Sequence, residues 1–198
     1  YDIMSSDWSS DVCSSDLAIF ITLIATPVAG EGSDASEAPL PEKTEYDINS
    51  KLPIDENITV GRLGNGITYY VRENKYPDNR AVLRLAVNAG SILEKEEQRG
   101  IAHFVEHMAF NGTESFGKDE LVDYFELIGM RYGPEVNAHT SFDETVYKLS
   151  IPTDDSAIID KSFRVLKEWA DSISFDPAEI DRERGVIIEE WRLGRGAE

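Results

Sequence analysis

The sequence predicts an α+β domain, with helices packed on one face of a mostly antiparallel sheet, over the part of the chain that begins near Tyr46. Three observations carry this expectation. Short β-rich runs recur at 58–63, 67–71, 81–87, 136–140 and 145–151; helical periodicity covers 94–110, 118–128, 156–173 and a stretch from 176 onward; and the resulting order, βββ, αα, ββ, αα, contains no internal repeat. With 198 residues, 41% of them hydrophobic, the chain has enough apolar material for one ordinary core.

Taken in order, residues 1–16 repeat Ser-Ser-Asp three times without apolar periodicity and are expected to be a non-native, adapter-derived segment. Leu17 to Ile24 is an apolar run too short to span a bilayer as a helix, and the small residues of Ala25-Thr-Pro-Val-Ala-Gly30 suit signal peptidase. Residues 17–30 therefore read as a signal-peptide remnant, although 1–30 lack the Lys or Arg of a basic leader start. Residues 31–45 are expected to form a polar linker, and 46–198 the N-terminal part of a first, incomplete folded domain. Gly64-Asn65-Gly66 between two β-rich runs predicts a hairpin. Ile101, Phe104, Val105 and Met108 bury the first helix; Leu121, Val122, Phe125 and Ile128 form one side of the second, which stops at Gly129. Ile159, Phe163, Leu166, Trp169 and Ile173 mark the third. Asp176 as N-cap, Pro177 at the first position and Glu179 in a capping-box-like place start the fourth.

Charge and cysteine count exclude some functions. Asp plus Glu total 38 against 19 Lys plus Arg, a formal charge of −19 that repels nucleic-acid phosphates and anionic lipid. Neither a nucleic-acid partner nor stable membrane insertion is expected. The single cysteine, Cys13, rules out an intramolecular disulfide framework or a multi-cysteine metal site, so a metal would need His and carboxylate ligands.

Two of the three histidines supply such a pair. His103-Phe-Val-Glu106-His107 sets imidazoles at i and i+4 and a carboxylate at i+3 on one side of a helix. Imidazoles so spaced can grip one zinc ion, and the carboxylate beside them can take a proton from a water that the metal activates. Buried structural histidines are the plainer explanation of a single His, but not of the whole H-x-x-E-H pattern. The third ligand is sought on the last helix. At about 100° per residue, Ile180, Ile187 and Trp191 share a face, and Glu183 and Glu190 fall between them, while Glu189 projects near Arg182 toward water. Carboxylates on an apolar face need a metal or a hydrogen-bonded partner, which makes Glu190 the candidate ligand and Glu183 a supporting carboxylate.

These residues resemble the pitrilysin and insulinase metallopeptidases, the family of insulin-degrading enzyme and the mitochondrial processing peptidases. The matching stretches are Gly90-Ser91 with Glu94, Gly100 to Thr113, Val136 to Ser141, Glu144 to Tyr147 and Glu183 to Arg192, in family order over about 58–192. Asn111-Gly-Thr113 and Glu189-Glu-Trp-Arg192 look most like PqqL-type bacterial periplasmic proteases. The resemblance implies a LuxS/mitochondrial-processing-peptidase-like metallohydrolase fold and a periplasmic or secreted zinc endopeptidase acting on peptides or unfolded polypeptides. His103, His107 and Glu190 would bind one Zn²⁺, with Glu106 as the base and Glu183 in support. Asn137, Ala138 and Thr140 would belong to an edge strand that pairs with the substrate. The alternative is a non-catalytic member acting as a structural or peptide-binding subunit. Family members contain further units that complete the chamber, so the chain by itself is expected to be at most weakly folded and inactive.

Overall fold

The computed structural model describes residues 17–21 and 53–195. Its centre is one six-stranded sheet made of β1 (Leu17–Ile21), β2 (Ile58–Arg62), β3 (Thr68–Arg72), β4 (Arg80–Val87), β5 (Val136–Thr140) and β6 (Thr145–Pro152), in the order β2-β3-β1-β4-β6-β5. Every neighbouring pair is antiparallel except β1 with β3. The turn between β2 and β3 is the expected hairpin: the Leu63 N–H donates to the Ile67 carbonyl at 2.8 Å, and Gly66 takes φ +96°, a value that its missing Cβ makes cheap.

The first strand corrects the sequence reading. The folded part was expected to start near Tyr46, yet Leu17–Ile21 lies inside the sheet, pairing Ala18 with Thr68 on β3 and Leu17 with Val87 on β4. A short run of apolar residues that includes isoleucine and phenylalanine fits a strand between two neighbours as well as it fits the apolar centre of a leader, and pattern alone does not separate them. The remainder of the leader reading, the adapter-derived segment and the 31–45 linker lie outside the described residues.

Period-two alternation sends Leu83 and Leu85 of β4 and Tyr147, Leu149 and Ile151 of β6 to one face, where all are buried. Against that face pack α1 (Ile101–Phe110), α2 (Lys118–Leu127) and α3 (Ser156–Asp171), which add Ala109, Leu121, Tyr124, Phe125, Val165, Leu166 and Trp169 to the same core. Burying a side chain such as Leu85 or Phe125 contributes about 1.5–3 kcal/mol, so the sheet and these helices form a firm platform.

The first helix begins at Ile101 and not at Glu94, as the periodicity suggested. Gly100 sits at φ +87°, a left-handed conformation that cannot continue a helix, and the preceding residues form two short 3₁₀ turns, Ser91–Leu93 and Glu96–Gln98. Glu94 takes a different task. Its carboxylate accepts the Gly100 and Ala102 N–H groups, each at 2.7 Å, and so caps α1 from outside the helix.

The last helix, α4 (Pro177–Arg195), starts as expected, with Asp176 Oδ1 accepting the Ala178 and Glu179 N–H groups. Glu179 does not close a capping box; it pairs with Lys118 and Arg182. Ile180 is buried and Ile187 half-buried, but Trp191 is 57% exposed, so cover of the apolar face drawn from periodicity fades along the helix. Helix α4 meets the rest of the fold chiefly through α1.

Candidate metal centre

Helix α1 brings its functional side chains together by register. His103 and His107 are one turn apart, with ring centroids 4.6 Å apart and Nε2 atoms at 3.1 Å. Helix α4 crosses α1 and supplies Glu190, whose Oε2 lies 3.4 Å from His107 Nε2 and 3.7 Å from His103 Nε2. Four-coordinate zinc with bonds of about 2.0–2.1 Å has ligand–ligand edges of about 3.3–3.4 Å. The three donor separations, 3.1, 3.4 and 3.7 Å, bracket that edge length, each within about 0.4 Å of it. A plain imidazole–imidazole hydrogen bond would account for the two rings but not for a carboxylate oxygen placed near both nitrogens. The donor set fits zinc.

The surrounding groups orient this set. Glu183 Oε1 accepts the Nδ1–H of His107 at 2.7 Å, which leaves Nε2 with its lone pair toward the cluster. Both side chains are largely buried, 18% exposed for His107 and 12% for Glu183. Asn111, at the end of α1, donates from Nδ2 to Glu183 Oε2 at 3.0 Å and to the His107 carbonyl at 3.1 Å, tying the α4 carboxylate to the helix it serves. Glu106 is buried beside the pair, and its Oε2 accepts a 2.6 Å hydrogen bond from the Thr140 hydroxyl. Burial, and then the nearby Glu106 charge, push the Tyr147 phenol well above its ordinary range, so it stays protonated.

An open cleft runs from Glu106, His107 and Glu183 to Tyr132, Asn137 and Ala138. Strand β5 forms one end of the sheet and pairs with β6; at its start Val136 also bridges Tyr132, its N–H donating to the Arg131 carbonyl and its carbonyl accepting the Gly133 N–H, so the stretch of outer edge without a backbone partner among the described residues begins at Ala138. Asn137 is exposed there, and its Oδ1 accepts the Ala138 N–H. Thr140, expected with them on the substrate side, turns its hydroxyl to Glu106.

All five residues named from the motif and the helix face, His103, Glu106, His107, Glu183 and Glu190, meet at one place. Glu189 lies away from the cluster, as expected, although it pairs with Arg192 and not with Arg182. His139, the third histidine, is exposed near Glu144 and takes no part. The sequence motifs include Asn111 and Glu94 but assign neither of them a task.

Residues 69–193 match the insulinase (peptidase family M16) model. The chain belongs to this family. It is 42% identical over 151 residues to "Probable zinc protease PqqL" of Haemophilus influenzae, which covers 76% of this chain and 16% of that protein. Against the "Zinc protease PQQL-like" of Arabidopsis thaliana it is 44% identical over 137 residues, 69% of this chain and 14% of that protein. The fold is similar to the crystal structure of the first half of the periplasmic protease PqqL from Escherichia coli, with a TM-score of 0.70 and 41% identity over 73% of this chain and 31% of that structure. The M16 sequence thus spans about one sixth of the length of the bacterial relative. No helix among the described residues is long and apolar enough to cross a membrane.

Proposed function

We propose that the chain carries the catalytic zinc site of a periplasmic or secreted metalloendopeptidase that cleaves peptides or unfolded polypeptides, completed by further domains such as its longer relatives contain. The observation that supports this most directly is the approach of Glu190 to both imidazole Nε2 atoms, with the buried Glu106 carboxylate beside them. His103, His107 and Glu190 would hold the metal, with Glu183 and Asn111 fixing the His107 ring. Zinc bound there supplies a Lewis acid that makes water a nucleophile near neutral pH.

Glu106 is placed to accept the proton of the attacking water and to pass it to the leaving amine, restoring its own carboxylate. The part of the β5 edge from Ala138 onward would offer backbone groups to an extended peptide, which gives affinity with little demand on side chains. Cleavage of varied unfolded chains follows from that mode of binding. A non-catalytic peptide-binding role is less well supported, because both imidazoles, the carboxylate ligand and the base are all present and converge.

The test uses the protein extended to the length of its relatives and a quenched fluorogenic peptide. Turnover should be abolished by a chelator and restored by Zn²⁺. Glu106→Gln should retain stoichiometric zinc while losing roughly 10²–10⁴ in kcat, the usual contribution of a positioned base. Near-wild-type turnover of a zinc-loaded Gln variant would remove Glu106 from the mechanism.

A further inference from the structure

We propose that Thr140 is a positioning residue for Glu106: its hydroxyl fixes one carboxylate oxygen and leaves the other to meet the water. The proposal rests on the peptidase reading above and deepens it. A glutamate's terminal torsion is broad and roughly two-fold, so a buried carboxylate on a helix is not oriented by its rotamer alone. The Thr140 Oγ1 to Glu106 Oε2 distance of 2.6 Å is that of a charge-assisted O–H···O⁻ bond.

The proton count at this point is decisive. A threonine hydroxyl has one proton to give. Thr140 Oγ1 also lies 3.3 Å from Thr145 Oγ1, but Thr145 donates its own proton to the Ala89 carbonyl at 2.8 Å. A carboxylate can only accept, so the Thr140 proton goes to Glu106. Among the described residues, this is the hydrogen bond that holds Oε2, and Oε1 remains as the oxygen available to water. Because Thr140 is the last residue of β5, the strand whose open edge would take the peptide also orients the base.

Two substitutions test this. Thr140→Val keeps the shape and removes the donor; Thr140→Ser keeps the donor and removes the methyl. In the extended zinc-loaded protein, Thr140→Val should lower kcat about 10–100-fold with KM within about twofold, and Thr140→Ser should stay within about threefold of wild type. Zinc content and zinc affinity in chelator competition should match wild type in both.

A second readout does not need turnover. Thr140→Val should lower the denaturation midpoint when Glu106 is present and have no further effect in a Glu106→Ala background. Wild-type kcat in the Val variant, loss of activity in the Ser variant, or equal midpoint shifts in both backgrounds would overturn the proposal. Absence of turnover in the extended wild-type protein would overturn the peptidase reading and the proposal with it, whereas turnover with an unaffected Val variant removes only the role of Thr140.

Discussion

Replacing Glu183 with alanine should weaken zinc binding without touching a ligand. The substitution removes the 2.7 Å acceptor of the His107 Nδ1–H and leaves Asn111 Nδ2 with only the His107 carbonyl. A hydrogen bond to a charged group contributes about 1.5–3 kcal/mol, and each 1.4 kcal/mol is about tenfold in an equilibrium constant. The expected loss is therefore about 10–100-fold in affinity, the range typical of groups that orient a metal-bound imidazole. Competition against a chelator of known affinity measures it directly, and two flanking variants bracket the result. Glu190→Ala, which deletes a donor atom, should cost more than Glu183→Ala. Glu189→Ala, which deletes only an exposed partner of Arg192, should change nothing measurable. A Glu183→Ala protein that is folded and binds zinc within about twofold of wild type would show that this carboxylate does not orient His107.

Two further outcomes concern the frame around the site. Burial alone would raise the Glu168 carboxyl, but hydrogen bonds from Thr113, Ser115 and Arg164 outweigh it and hold it below the ordinary glutamate range. A lowered folded value means stability that is present above the ordinary carboxylate range and is lost as pH falls through the lowered value. Glu168→Gln should thus cost about 1–3 kcal/mol at pH 7 and much less near pH 3, as read by denaturant unfolding, and an equal cost at both would refute the assignment. Deleting residues 1–21 removes the strand that pairs with both β3 and β4 and should lower the thermal midpoint of the chain; an unchanged midpoint would show that β1 adds nothing to the folded unit.

What was readable from sequence followed from local periodicity. His103, Glu106 and His107 share a helix face because spacings of three and four always do, and the Glu190 assignment needed only a second helix with carboxylates on its inner side. The five strands and four helices expected after Tyr46 all occur because alternation and capping residues are local signals. The failures share the opposite character. Whether Leu17–Ile21 enters the sheet depends on β3 and β4, more than forty residues away in sequence, and Gly100 breaks the first helix through a backbone angle that its identity permits without requiring. Trp191 is 57% exposed although it shares a periodic face with the buried Ile180, because periodicity gives the face and not how far along the helix it is covered.

The same distinction sorts the groups of the site. Those that would touch metal or water lie on helix faces, where the chemistry imposes a spacing. Those that hold them in place do so across the fold: Asn111 reaches Glu183 over 72 residues, and Thr140 reaches Glu106 over 34. Such bonds carry no pattern, since an asparagine at a helix end and a threonine in a strand are ordinary choices at those positions. They still fix where two carboxylates point. A site built from α1 and α4 alone would hold Glu183 through His107 and Asn111 but leave the Glu106 carboxylate free to turn, and β5 is the element that removes this freedom from the base. The edge that would receive the peptide and the group that would serve the water are thereby set by one strand, so a change in β5 should be felt in turnover even where it leaves the zinc ligands untouched.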